Sequence, residues 1–399
     1  TVAFKYTKGK TMYSLAHDTW DKREVAALQR VMDSGRYTMG PEVAKFEKEF
    51  ADYIGAKFAV MTNSGSSANL IALTSIVQNP NYDLNPGDEV IVPAVSWSTT
   101  FFPVQQNGLV LKFVDIDKDS LNIDPDLVEQ AITEKTKAVF AVNLLGNSCE
   151  LSKLKNICNR HNIVFLEDNC ESFGAKHINK YCSTWGDAGT FSFFFSHHLQ
   201  TMEGGMIVTD DADLADYMRS LRAHGWVRDI GDTSSLYTKS GDPFEDSFRF
   251  VLPGYCVRPL EMSGAVGQVQ LGKADSMVYR RIENSKVYHS LFNEVDYART
   301  QLPTEDSVHT YFGFSFVLEN NLKDRRSEVI NLFKENNIEC RPIVAGNFMR
   351  NPVIDRLNYT TFGTYSCADE IHDQGFFLGN DNRNLETQLE KVKELMETL

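Results

Sequence analysis

Through the first two-thirds of the chain, short apolar runs alternate with stretches in which apolar positions recur at helical spacing. Residues 57–61, 89–93, 111–115, 138–142 and 163–166 are rich in Val, Ile and Phe and read as buried strands. Residues 66–77 and 152–161 carry the helical period between them. Strands that are apolar along their length, separated by helices, predict a largely parallel sheet covered on both faces. Two further strands are expected at 190–195 and 205–208, around a loop, followed by a helix at 211–223. A helical pattern from 258 to about 293 is long enough to link two domains. Beyond it, 311–318 reads as one clear strand, with helices at 325–336 and 385–399. The expected fold is α/β, with a large, mostly parallel-sheet domain and N-terminal segment over 1–270. A linking helix and a smaller α+β domain would occupy 271–399.

Composition narrows the partners. The formal net charge of -14, without any cluster of Lys and Arg, argues against nucleic acid, while a few local donors could still bind a phosphate. No apolar run reaches the roughly 20 residues that span a membrane, and the polar start carries no secretory leader pattern, so a cytoplasmic protein is expected. The seven cysteines form no C-x-x-C pair, which predicts neither a disulfide framework nor a zinc or iron–sulfur site.

Four segments carry candidate chemistry. Asp168 and Glu171 lie at the C-terminal end of a predicted buried strand, where ligands of open α/β sheets bind. Taken alone, Asp168 fits a turn or helix cap equally well. Asn63-Ser64-Gly65-Ser66-Ser67-Ala68-Asn69 joins a strand to a helix; its small residues and free helix N–H groups make a plausible phosphate cup, or simply a capped turn. It is not a Walker motif, since no Gly-Lys-Ser/Thr follows. Trp97, in Pro93–Thr100, could stack on a flat cofactor or fill the core. The fourth segment runs from Phe191 to Gly205 and contains Ser192 and the pair His197-His198.

In order, these segments resemble the sugar aminotransferases of pyridoxal-enzyme fold type I (aspartate aminotransferase-like), the DegT/DnrJ/EryC1/StrS group. In that family the fourth segment reads roughly F-S-F-x-x-x-K-x-x-x-x-G-E-G-G, and its lysine holds the cofactor aldehyde. Counted back from Glu203, the lysine column falls on His197, and no lysine stands between Lys180 and Lys239. Imidazole cannot replace the amine in that bond, but it moves protons well near neutral pH. A branch of the family has this replacement: the GDP-4-keto-6-deoxymannose 3-dehydratases of colitose biosynthesis. The resemblance to it covers nearly the whole chain, with Ser-His-His-x-x-Thr-Met-Glu-Gly-Gly (196–205) its most specific string.

The resemblance implies pyridoxal/pyridoxamine 5'-phosphate as cofactor, with Asp168 on the ring nitrogen and Trp97 on the ring face. It implies Gly65, Ser66 and Ser192 on the phosphate, Glu171 near the ring hydroxyl, and His197 as the base. Arg258 and Arg341 are its candidates for substrate phosphate or carboxylate. Glutamate would convert the cofactor to its amine form, and a nucleotide-linked keto sugar would then lose its C3 hydroxyl, with ammonia released. A homodimer with shared sites is implied too, though Cys256 stands where the family usually has an Asn that reaches the partner's cofactor phosphate. The alternatives are an aminotransferase that leaves nitrogen on the sugar, the iron–sulfur branch acting on CDP-sugars, and a non-catalytic cofactor- or sugar-binding regulator. The absence of clustered cysteines counts against the iron–sulfur branch.

Overall fold

The computed structural model describes residues 11–232 and 234–399. Among them, eight strands form a large sheet in the order Phe58–Thr62, Gly205–Thr209, Ala188–Ser192, Val164–Asp168, Thr136–Val142, Glu89–Pro93, Val110–Val114 and Tyr359–Thr361. Gly205–Thr209 runs antiparallel to both neighbours, and every other pairing is parallel.

Alternation along each strand explains why both faces are apolar. Val60, Val90, Val92, Leu111, Phe140 and Leu166 pack on one side beneath the helices Gly65–Gln78, Ser98–Gln106 and Ala212–Arg222. Ile91, Val139, Ala141 and Phe165 point the other way, against Pro125–Ala131 and Leu151–His161. At the far edge of that second face, Met61, Phe191 and Met206 meet Phe46 and Phe50 of the helix Pro41–Ile54.

A four-stranded antiparallel sheet follows, in the order Ala298–Arg299, Gly313–Leu318, Gly375–Gly379 and Cys340–Arg341. Its Phe314, Phe316, Phe376 and Leu378 pack under the helices Ala274–Phe292, Arg326–Glu335 and Glu386–Met396. The opposite side, with Val317 and Phe377, packs on Leu144, Leu145 and Val142, at the C-terminal ends of the large sheet's strands. The small sheet therefore roofs those strand ends.

Several expectations are corrected in detail. The strand expected over 190–195 ends at Ser192, its last rung against Gly205; Phe193 instead closes a loop, its carbonyl accepting from the Thr201 N–H at 2.9 Å. The pattern over 258–293 is two helices, Glu261–Leu271 and Ala274–Phe292, parted at Gly272 and Lys273. Glycine weakens the helix there, and the Lys273 ammonium reaches back to Glu24 and to Asp21. Where one strand was expected beyond residue 300, the region supplies three of the small sheet's four strands and, in Tyr359–Thr361, an edge strand of the large one. Strands of two or three residues are too short to leave a periodic signature. The helix Lys22–Ser34 was legible but unread: Asp21 and Glu24 form a capping box before it. No helix among the described residues is long and apolar enough to cross a membrane.

Candidate active site

Asp168 closes the strand Val164–Asp168 and is buried at the C-terminal edge of the sheet. Its Oδ2 accepts from Asn69 Nδ2 at 2.8 Å and from Thr100 Oγ1 at 2.9 Å, and its Oδ1 accepts from the Cys170 N–H at 3.0 Å. Asn69 is itself fixed, its Oδ1 accepting from Thr190 Oγ1 at 2.5 Å, and Thr100 Oγ1 lies 2.8 Å from Ser96 Oγ. Three donors offset the desolvation of this carboxylate and fix its plane.

Beside it begins the helix Gly65–Gln78, capped by Ser64, whose Oγ accepts from the Ser67 N–H at 3.1 Å. The N–H groups of its first turn, including those of Gly65 and Ser66, have no acceptor within the helix and suit an anion. Ser192 stands directly against Gly65: a Cβ there would fall 2.5 Å from Ser192 Cβ and 2.9 Å from Cys170 Sγ. Only glycine lets the helix start approach the strand end this closely. Arg258 flanks the cup, for the Val257 carbonyl accepts from the Asn63 N–H at 2.9 Å. The Arg258 guanidinium lies 5.5 Å from the Trp226 ring centroid and 3.7 Å from Cys256 Sγ.

Trp97 precedes the helix Ser98–Gln106, and its carbonyl accepts from the Thr100 N–H at 3.1 Å. The side chain is open, 59% exposed, which places it at the surface rather than in the core. Glu171 is half-buried, with Oε2 accepting from the Leu145 N–H at 3.0 Å. Burial pushes its pKa up to about 7; the Leu145 N–H opposes the rise and the Asp168 charge adds to it.

The adjacent histidines have different surroundings. His198 is buried, 1% exposed, with Nε2 3.3 Å from the Thr310 carbonyl and its ring against Phe173 and Phe312. His197 is half-buried and meets the Phe312 ring edge-on at 5.2 Å between centroids. Burial, and after it the Arg281 charge, pushes the His197 pKa down to about 3. Phe312 also joins this loop to the Glu171 shelf, its N–H donating to the Leu145 carbonyl at 2.8 Å.

Contacts thus connect Gly65, Ser192, Asp168, Trp97, Glu171 and His197 through Cys170, Thr100, Leu145 and Phe312, with Ser66 in the same helix turn as Gly65. Arg341 is set apart: it is exposed on the small sheet's Cys340–Arg341 strand, in register with Phe377, whose ring lies 6.2 Å from that of Phe312. Asn69 and Thr100 lay inside segments singled out from the sequence, but nothing in their spacing marked them as holding Asp168. Phe312 carried no signal at all, since a phenylalanine in an apolar strand reads as core. Among the described residues, no group of three or more His, Cys, Asp or Glu side chains could hold a metal ion.

The chain is similar to known proteins along nearly its whole length. A GDP-4-keto-6-deoxy-D-mannose 3-dehydratase of Yersinia pseudotuberculosis is 47% identical over 382 residues, covering 95% of this chain and 97% of that one. An E. coli GDP-4-keto-6-deoxy-D-mannose-3-dehydratase solved with bound hydrated PLP superposes with a TM-score of 0.94 at 43% identity, covering 97% of this chain and all of that one. A GDP-4-keto-6-deoxymannose-3-dehydratase solved with a trapped PLP-glutamate geminal diamine gives 0.93 at 43% identity, covering 96% and 99% of the two chains. The sequence pattern of one family matches residues 18–399, and the chain belongs to it: the DegT/DnrJ/EryC1/StrS aminotransferase family.

Proposed function

We propose that this protein is a PLP/PMP-dependent 3-dehydratase that removes the C3 hydroxyl of GDP-4-keto-6-deoxymannose at the expense of glutamate. The observation that carries the reading is a loop that offers histidine instead of lysine, beside a hydrogen-bonded aspartate at a strand end, a helix N-terminus suited to an anion and an open tryptophan. The residues fit the group: the cradle at Gly65 is one that a Cβ would fill, and the Asp168 carboxylate is held rigid at a strand end. When bound, the cofactor carries an amine between glutamate and a sugar ketone, and its ring takes up the electron pair of a broken C–H bond.

The protein's share is placement and proton movement. The first turn of the helix, through Gly65 and Ser66, binds the phosphate with Ser192, while Asp168 holds a proton on the ring nitrogen and Trp97 covers the ring. Glu171, with a pKa near neutrality, stands by the ring hydroxyl. His197, kept unprotonated, takes the proton whose loss drives expulsion of the C3 hydroxyl. Arg258 and Arg341 are assigned to the anionic parts of the substrates. The balance closes on glutamate: it becomes 2-oxoglutarate and supplies two electrons to C3, the C3 oxygen offsets the one that 2-oxoglutarate gains, and nitrogen leaves as ammonia. Without a lysine to recapture the cofactor aldehyde, water releases the aminated sugar; having lost its C3 hydroxyl it is an enamine, which tautomerises to an imine and hydrolyses to the 3-deoxy ketone and ammonia.

The same reading includes a homodimer with shared sites acting in the cytoplasm. Phe244, Phe248 and Phe250 lie exposed along the segment that leads to Cys256 and Arg258, a surface that a second copy would cover. The free cysteines of the described chain suit a reducing compartment. The deciding experiment supplies purified protein with PLP, glutamate and GDP-4-keto-6-deoxymannose, reading ammonia and the sugar by mass spectrometry. Free ammonia with a sugar lacking its C3 oxygen is expected. An amino sugar that keeps that oxygen would return the protein to the aminotransferases.

A further inference from the structure

The His197 ring is held by its own loop, through Phe194 at 6.1 Å between centroids and Ser196 Oγ at 3.5 Å, and more closely by a strap of the small domain, through Phe312 at 5.2 Å. The strap, His309-Thr310-Tyr311-Phe312, enters the strand Gly313–Leu318 and lies between the histidine pair and the Leu144–Gly146 turn. Its backbone is bonded from both sides. Thr310 N–H donates to the Gly146 carbonyl at 2.9 Å, Phe312 N–H to the Leu145 carbonyl at 2.8 Å, and the Thr310 carbonyl lies 3.3 Å from His198 Nε2. Two non-glycine residues of this junction, Leu145 and Tyr311, have left-handed backbones, with φ of 53° and 49°. Such conformations are strained and persist only where the surroundings impose them.

Against the strap's carbonyls lies a buried cation. Arg281, on the helix Ala274–Phe292, is 4% exposed and makes no ion pair among the described residues. Its Nη1 donates to the carbonyls of Tyr311 at 3.4 Å and Phe312 at 3.3 Å. Asn380 assists: its Nδ2 donates both to the Tyr311 carbonyl at 2.9 Å and to the Arg281 carbonyl at 3.1 Å. A guanidinium taken out of water with a carboxylate acting on it only from beyond ion-pair distance, that of Asp381, is costly, so its retention beside the site calls for an explanation. We propose that Arg281 is a positioning residue for His197: it anchors the two carbonyls of the strap, and the Phe312 ring so held sets the place and tilt of the imidazole. This rests on the reading of His197 as the base.

The charge acts in the same sense as the geometry. Arg281 faces both histidines from the helix, His198 neighbours His197 on the loop, and His309 acts on His198 from the strap; no carboxylate is among the charges acting on either ring. Removing the cation lets the His197 pKa climb toward its ordinary value, so the base is lost at a higher pH. A conservative lysine would keep the charge.

The test uses the PLP-loaded protein and four variants, with His197→Asn as reference. Phe312→Ala is expected to lower kcat for deoxygenation about a hundredfold while KM stays within about threefold, and Phe312→Tyr, which keeps the ring, to recover most of the rate. Carbon-13 NMR of labelled histidines, with the His197 signal identified by its absence in His197→Asn, should show its midpoint rising by about one unit or more in Arg281→Gln but not in Arg281→Lys. The acid limb of kcat should move with it. Full kcat with an unmoved His197 midpoint in Arg281→Gln overturns the role of Arg281; should that variant not fold, Arg281→Lys decides, since its single ammonium cannot reproduce the guanidinium's hold on two carbonyls and full kcat in it overturns that hold. Full kcat in Phe312→Ala, with His197→Asn inactive, overturns the positioning role and leaves the base intact. An active His197→Asn instead removes the base reading on which the inference rests.

Discussion

The floor of the site and its histidine loop are built on opposite principles. Around Asp168, each carboxylate oxygen is hydrogen-bonded, and the donors are bonded in turn. The His197 ring has one 3.5 Å polar contact, from Nδ1 to Ser196 Oγ, and otherwise meets the edges and faces of two rings, Phe312 at 5.2 Å and Phe194 at 6.1 Å. A group that holds a constant charge gains from a rigid cage of donors. One that must take up and release a proton needs its nitrogens free, so it is placed through its carbon edges instead.

Changes on the two sides should therefore fail in different ways. The largest effect is expected at His197→Asn: deoxygenation should fall about a thousandfold, with the visible spectrum of bound cofactor retained. A loss of only a few-fold would place the base elsewhere. Asp168→Ala should damage folding as well as chemistry, because the donors of Asn69 and Thr100 lose their acceptor. A cost of about 1–3 kcal/mol in urea unfolding is expected together with poor cofactor uptake, and an unaltered unfolding midpoint would count against the cage. Gly65→Ala should leave the fold intact and weaken PLP binding by roughly ten- to a hundredfold, read by absorbance titration, since the added carbon falls on Ser192.

Glu171→Gln sharpens the comparison through pH. The folded carboxyl has its pKa raised from 4.5 to about 7 by burial. The folded state therefore binds more protons than the unfolded one between those values, and stability falls as pH rises through that window, then levels. The glutamine variant should lose this slope and be about 1–3 kcal/mol more stable than the parent at pH 8, as measured on the cofactor-free protein. Parallel profiles for the two proteins would refute this account of Glu171. The smallest effect is expected at Cys256→Asn, where an amide replaces a weak thiol donor: PLP retention should improve by roughly two- to fivefold, and no change would detach Cys256 from the cofactor.

The same contrast explains what could be read from the sequence. The floor is local: strand, turn and helix start lie together in the chain, so residue type and position made Gly65 and Asp168 candidates beside an ordinary turn or cap, and the family resemblance gave them and Ser192 their roles. The sheet was legible for a related reason, because strands covered on both faces are apolar throughout. His197 was visible only as a departure from a familiar pattern, and a one-residue slip would have exchanged it with His198. Arg281 and Phe312 were invisible, since they come from a helix and a strap whose approach depends on the packing of the whole small sheet. Long-range support of this kind leaves no periodicity behind.

The edge strand Tyr359–Thr361 pairs with Leu111–Phe113, and the Thr360 hydroxyl bonds the buried Glu89, itself paired with Lys112. During synthesis this rung is delivered only after most of the chain has been made. Until then the Val110–Val114 strand waits on the ribosome with a bare, apolar, parallel edge. The strand's partner thus follows it by roughly 245 residues of synthesis, an interval in which that edge is open to wrong pairing.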